Sequence, residues 1–170
     1  MTIRILNMGG TIDSYYEATK DTAVPLEKSI IPKYMKSLGL YEKIVFSEIC
    51  MKDSRALNES DRKKMLQEIE SCKETNIIIT HGTYTMPDSA RYLKANLKAK
   101  DKKIIFVGSM IPIYGFTESD GPFNLGFAMG KIETVRPGIY VGMNGKIFSP
   151  EEVVKLLDQG RFGSIFGDKK

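Results

Sequence analysis

Apolar positions along this chain recur at two spacings. Short runs of aliphatic and β-branched residues alternate with stripes at three- and four-residue intervals, a pattern that marks buried strands separated by amphipathic helices. The runs predict strands near residues 3 to 8, 44 to 50, 76 to 80, 104 to 108 and 139 to 143. A helix is expected at about 26 to 38, where Ile30, Ile31, Tyr34, Met35 and Leu38 form one stripe, and another at 59 to 71 on Met65, Leu66 and Ile69. Asn58 suits the N-cap of the second, and Asp61 adds negative charge to its first turn. A third is expected at 87 to 97, with Pro87 in its first turn and Ala90, Leu93 and Leu97 inward, and a fourth from about Pro122. A fifth is expected from Ser149-Pro150 through Leu157, where Ser-Pro-Glu-Glu reads as N-cap, N1 and two favourable acids. No repeat, low-complexity tract or linker interrupts the alternation. It predicts an α/β fold, one domain over residues 1–170, with a mostly parallel three-layer arrangement of flavodoxin-like or Rossmann-like type.

Parallel strands place all their carboxyl ends on one side. The residues just past those ends are Gly9-Gly10-Thr11, Lys52-Asp53-Ser54, His81-Gly82-Thr83, Ser109-Met110 and Asn144-Gly145, small polar groups and exposed amides that converge on one edge. Any one such sequence commonly makes a turn or a helix cap. Five in succession make that edge the candidate pocket, and Thr11 and Thr83 suggest a paired-threonine site. Phosphate cradling at Gly9-Gly10-Thr11 is the nearest rival, but the chain lacks G-x-x-x-x-G-K-[ST] and a full G-x-G-x-x-G.

Composition narrows the field. With 170 residues, 42% of them hydrophobic, one domain can bury roughly two-thirds of its unfolded surface. The net charge of +4 is dispersed and not interleaved with aromatics, which argues against a nucleic-acid partner. Met1-Thr2-Ile3-Arg4-Ile5-Leu6 runs straight into a strand pattern without a basic stretch and cleavage site, so a cytoplasmic location is expected rather than secretion. Cys50 and Cys72 stand in no metal spacing, and His81 is the one histidine, so reduced thiols and no metal or other cofactor are expected. No apolar run approaches the roughly 20 residues that cross a bilayer, so no membrane role is expected.

Several blocks together carry a resemblance. Gly9-Gly10-Thr11-Ile12, the loop His81-Gly82-Thr83-x-Thr85-Met86, Gly108-Ser109-Met110-Ile111-Pro112 and Ser119-Asp120-Gly121-Pro122-Phe123-Asn124-Leu125 are similar to signature blocks of bacterial-type L-asparaginases. The likeness extends through Asp53-Ser54 and from Val141-Gly142-Met143-Asn144 to Lys155, so it covers nearly the whole chain in one order. Most members carry a second, carboxyl-terminal domain, for which a chain ending at Lys170 leaves no room. The chain therefore resembles the short-chain form, a catalytic domain that assembles as a homo-oligomer. The activity implied is hydrolysis of L-asparagine to L-aspartate and ammonia through a threonine acyl-enzyme.

The same resemblance assigns roles. Thr11 would attack the side-chain amide carbon. Tyr15 or Tyr16, on the polar segment Ser14-Tyr15-Tyr16-Glu17-Ala18-Thr19-Lys20-Asp21-Thr22, would close over the substrate as a lid and assist there. Thr83 and Lys155 would form a second pair, with Thr83 placing a water or shuttling a proton once Lys155 has accepted one. A lysine titrates near 10.4, so it serves as a base near neutral pH only when desolvated. The setting Val153-Val154-Lys155-Leu156-Leu157 supplies apolar neighbours, although local sequence alone reads Lys155 as a helix lysine snorkelling to solvent. Ser54 matches a contact to the substrate carboxylate, and Asp53 is a turn or cap residue with ligand contact as the alternative. Backbone groups around Gly82, Thr83 and Ser109 would bind the amide and its oxyanion. Asp120 is expected to cap the helix at Pro122, and His81 to support its loop.

One departure falls inside this site. Tyr84 stands where typical asparaginases have an aspartate that holds the substrate's α-ammonium, and Arg55 and Ala56 replace residues that are commonly polar or acidic. Tyrosine is neutral near pH 7 and cannot make that ion pair, whose loss costs about 2 to 5 kcal/mol when a charge is left unpaired. Three readings remain: another acid, Glu118 or Asp120, substitutes; the substrate is a related amide without an α-amino group; or activity is weakened and the chain is an asparaginase-like amino-acid-binding protein.

Overall fold

The computed structural model describes residues 1–116 and 118–167. The last three residues of the expected 1–170 domain lie outside them. In chain order the strands and helices are β1 (Thr2–Gly9), β2 (Ser14–Glu17), β3 (Thr22–Pro25), α1 (Ile31–Ser37), β4 (Lys43–Lys52), α2 (Glu59–Ser71) and β5 (Asn76–Thr80). They continue with α3 (Met86–Asn96), β6 (Lys103–Val107), α4 (Gly121–Ile132), β7 (Gly138–Met143), β8 (Lys146–Phe148), β9 (Val153–Leu156) and β10 (Arg161–Ser164).

The central sheet runs β4-β1-β5-β6-β7-β8, parallel except for the last pair. Counting only the parallel strands in chain order, this is the 2-1-3-4-5 arrangement of flavodoxin-like folds. Its topological switch lies between β1 and β5, because the chain leaves β1 towards one edge of the sheet and leaves β5 towards the other. The two threonine loops come directly after these two strands.

Ile-rich strands explain the layering. In β5 and β6, Ile77, Ile79, Ile104 and Phe106 face one side, where Met65 and Ile69 of α2 and Ala90 and Leu93 of α3 cover them. Ile78, Ile105 and Val107 face the other, under Ile31 and Met35 of α1 and Leu125, Ala128 and Ile132 of α4. Strands buried on both faces read as continuous apolar runs, which is why the central strands β5 and β6 are legible in the sequence, whereas the edge strand β4 is only partly buried. Asn58 caps α2 in a capping box, accepting from the Asp61 amide at 3.1 Å while the Asp61 carboxylate accepts from the Asn58 amide at 3.0 Å.

Three expectations are corrected. The helix expected at 26 to 38 begins only at Ile31, because the amide of Ile30 is taken by the Asp13 carboxylate and Pro32 favours the first turn. No helix spans 149 to 157. The Ser149 amide donates to the Glu152 carboxylate and the Glu152 amide to the Ser149 carbonyl, closing a single turn, but Val153 and Val154 then extend into β9, paired antiparallel with Ser164 and Gly163 of β10. Lys155 is thus a strand residue, not a helix residue. Asn144-Gly145 is not simply a strand end: both residues have positive φ, 53° and 74°, and turn β7 back into the unforeseen β8.

Candidate active site

Glycine brings the two threonine loops into contact. A Cβ on Gly10 would stand 2.2 Å from the Gly82 Cα, and Gly10 has φ +84°, so the loop of Thr11 and the loop of Thr83 touch backbone to backbone. A Cβ on Gly82 would stand 2.6 Å from Ser54 Cβ, which brings the loop after β4 against the same point. Thr85 Oγ1 donates to the Ser54 carbonyl at 2.8 Å and fastens those two loops. Ser54 and Thr83 are buried, while Thr11 is half-buried at the start of a single 3-10 turn.

Thr83 is held with its methyl towards Gly108, at the end of β6, and its hydroxyl towards Lys155. Lys155 Nζ lies 2.7 Å from Thr83 Oγ1. Burial lowers the lysine's pKa from its ordinary value, the nearby Arg55 guanidinium lowers it further, and Asp53 opposes both. Near neutral pH a larger fraction of Lys155 is therefore the neutral amine, the form that can accept a proton, than of a solvated lysine. Pairing of Lys155 with Phe162, across β9 and β10, fixes where the lysine stands. Arg91 of α3 also donates to the Val153 carbonyl at 2.9 Å.

Behind this hairpin is an amide relay that sequence reasoning missed. Fully buried Asn124 donates to the Gly108 carbonyl and to Asp120, and accepts from the Asn144 amide. Asn144 in turn accepts from the Phe162 amide at 2.9 Å, so the end of β6, α4 and the Lys155 hairpin are tied together. An Asn-Gly pair between apolar runs is a hairpin signal that was available in the sequence. The contact to Phe162 had no local signature.

Asp120 does not cap α4 with its side chain. Its carboxylate accepts from the amides of Met110 and Ile111 at 2.9 to 3.0 Å and from Asn124, which shapes the loop after β6. Ser109, one residue earlier, is fully buried and its hydroxyl has no partner among the described residues. Asp53 is the turn residue anticipated: it accepts from the Arg55 amide at 2.8 Å and from two guanidinium nitrogens at 3.0 and 2.8 Å. Arg55 holds its pKa below the usual carboxylate value.

His81 is wholly buried. Its Nδ1 lies 2.7 Å from the Gly82 carbonyl, which only accepts, so the proton sits on Nδ1 and Nε2 accepts from Ser89 Oγ at 2.9 Å. Burial pushes its pKa down to about 4, so the ring is neutral and braces the threonine loop.

Tyr84 is half exposed and lies against two cations, with Lys155 Nζ 4.2 Å and Arg55 Cζ 5.0 Å from its ring centre. Beside it, Pro87, Asp88, Arg91, Val154 and Lys155 help line a cleft of about 250 Å³. Tyr15 and Tyr16 lie on the β2–β3 hairpin, where their hydroxyls donate to Glu17 and Asp21. Together with Tyr114 and Phe116 they line a second, open cleft of about 480 Å³. The polar segment expected to act as a lid is a short antiparallel hairpin. Among the described residues no group of acids, histidines and cysteines is placed to hold a metal, and no helix is long and apolar enough to cross a membrane.

Known proteins resemble this chain in sequence and fold. A probable periplasmic L-asparaginase of Haemophilus influenzae is 29% identical over 163 residues, 90% of this chain and 46% of that protein. L-asparaginase 2 of Escherichia coli is 34% identical over 100 residues, 55% of this chain and 28% of that protein. The crystal structure of a probable cytoplasmic L-asparaginase from Campylobacter jejuni superposes with a TM-score of 0.82 at 30% identity, over 98% of this chain and 54% of that one. The thermostable L-asparaginase from Thermococcus kodakarensis gives 0.79 at 26% identity, over 97% and 51%. This chain thus spans about half the length of such relatives. The family model for the asparaginase N-terminal region matches residues 2–162, and the chain belongs to the asparaginase family.

Proposed function

We propose that this chain is an amidohydrolase of the asparaginase type, with residues 1–170 as its catalytic domain. It hydrolyses the terminal carboxamide of a small dicarboxylic monoamide, the class that includes L-asparagine, and releases ammonia. It works without metal or other cofactor, in the cytoplasm and as a homo-oligomer. The observation that carries this reading is the 2.7 Å contact of Lys155 with Thr83, in a loop that touches the Thr11 loop at Gly10 and Gly82.

In the first half-reaction Thr11 Oγ1 bonds to the amide carbon, the C–N bond breaks, and the hydroxyl proton ends on the departing ammonia. In the second, a water held by Thr83 loses a proton towards Lys155, its oxygen bonds to the acyl carbon, and the C–O bond to Thr11 breaks with the proton returned to that oxygen. The product is the free carboxylate. Backbone amides at Gly82, Thr83 and near Ser109 are the candidate donors to the oxyanion, and Ser54 binds a substrate carboxylate. Tyr15 or Tyr16 takes part by leaving Glu17 or Asp21 as the hairpin folds over the bound amide.

Coupled ammonia release from asparagine, glutamine and simple amides tests this. A folded, oligomeric protein that releases none above background from any of them would refute hydrolysis. A second reading, an amino-acid-binding protein without turnover, draws on the Tyr84 ring that lies over Lys155. Aspartate binding by calorimetry without turnover, with turnover restored by Tyr84→Asp, distinguishes it.

A further inference from the structure

The loops around Lys155 bring cations together and leave little negative charge for a cationic ligand. Arg55 and Lys155 both stand over the Tyr84 ring, so the π face that would attract an ammonium already serves two of the protein's own cations. Three carboxylates around the site are committed. Asp53 is forked by Arg55, Asp88 pairs with Arg91 at 3.2 Å, and Asp120 binds two backbone amides and Asn124. The Arg55–Asp53 pair is neutral as a unit, and below its pKa Lys155 adds a positive charge to the surface beside it, in the state that substrate meets before the amine gives up its proton for catalysis. An ammonium brought there is repelled, and none of these three carboxylates is free to offset the repulsion. A carboxylate there is attracted.

Resting on the amidohydrolase reading, we infer that this chain takes monoamides of dicarboxylic acids that carry no α-amino group, succinamate being the simplest four-carbon case, with the Arg55–Tyr84–Lys155 stack as the specificity determinant. Succinamate keeps the carboxylate and the terminal carboxamide of asparagine and lacks only the ammonium. The reaction balances in the same way: the C–N bond breaks, ammonia leaves, water supplies the new oxygen, and succinate is the product. Tyr84 positions the two cations and does not touch the reacting bond.

The experiment measures kcat/KM for ammonia release from succinamate and from asparagine. The wild-type protein is compared with Tyr84→Phe, Tyr84→Asp and Glu118→Gln. The expected result is a wild-type preference for succinamate of about 30-fold or more, the ratio that corresponds to one stranded charge. Tyr84→Phe keeps the ring and the preference, whereas Tyr84→Asp shifts the ratio towards asparagine by about tenfold or more, mainly through KM for asparagine. Tyr84 is half exposed, so these substitutions leave the fold intact, which thermal melts check. Wild-type preference for asparagine overturns the inference while leaving the amidohydrolase reading standing. Loss of that preference in Glu118→Gln would then identify Glu118 as the ammonium's partner. An unmoved ratio in Tyr84→Asp overturns the role of the stack. Absence of ammonia from both substrates with every variant refutes the amidohydrolase reading and the inference with it.

Discussion

Lys155 Nζ donates to Thr83 Oγ1 at 2.7 Å across 72 residues of sequence. The contact joins the turn after a central strand to a hairpin near the end of the described chain. Removing the amine while keeping the stem's bulk, as in Lys155→Met, should lower kcat by about 10²- to 10⁴-fold, the usual contribution of one positioned proton-transfer group. Thermal stability should move little, because the side chain is only partly buried. A variant that melts early instead would make Lys155 a structural residue.

The pH profile has a predicted direction. The neutral amine is the working form, so activity should rise with pH through an apparent pKa below 10.5. Arg55→Ala removes a cation that lowers this pKa and frees Asp53, which raises it, so the rising limb should move to higher pH. A limb that stays in place or moves down would show that Arg55 does not act on Lys155.

Stability against acid should reflect two buried groups of opposite sign. His81 has its pKa lowered from 6.5 to about 4, so between these values the unfolded chain binds the extra proton and stability falls as pH drops. Burial raises Asp13 from 3.8 to about 6, so across that window the folded chain binds the proton and gains stability as pH drops. Asp13→Asn preserves a group that can bond Ser29 and Ile30 but removes the opposing titration. Thermal melts from pH 6.5 to 4 should therefore show a steeper loss in this variant than in the wild type.

Asn144→Gly keeps the turn's positive φ but deletes the acceptor for the Phe162 amide. Hydrogen exchange over 153–164 should accelerate and kcat should drop with KM little changed, while the central sheet stays protected. Uniformly faster exchange throughout would mean that the relay supports the whole fold rather than the Lys155 hairpin.

Gly10→Ala should separate the threonine loops. The new Cβ would meet Gly82 Cα at 2.2 Å and require a left-handed backbone that costs about 1 to 3 kcal/mol. A clear fall in melting temperature is expected together with loss of ammonia release.

Strands such as Asn76–Thr80 and Lys103–Val107 were legible because burial on both faces imposes continuous aliphatic runs, and Asn58–Asp61 because a cap is made by neighbours in sequence. Val153–Leu156 was not, since Ser149-Pro150-Glu151-Glu152 does form one helical turn and only the pairing with β10 draws the next residues into a strand. Thr83 and Lys155 could be associated in advance only through family resemblance, because nothing local to either residue encodes a partner 72 positions away. The stack on Tyr84 was illegible for a similar reason: Arg55 arrives from the loop after β4 and Lys155 from β9.

The central claim is a covalent role for Thr11 supported by Thr83 and Lys155. Its most direct test is rapid acid quenching during turnover of succinamate or asparagine, then peptide mapping of the intact adduct. The predicted result is an acyl group on Thr11 that appears with the first ammonia, accumulates in Thr83→Ala or Lys155→Met, and is absent in Thr11→Val. Ammonia release by Thr11→Val at the wild-type rate, with no adduct on any threonine, would contradict it.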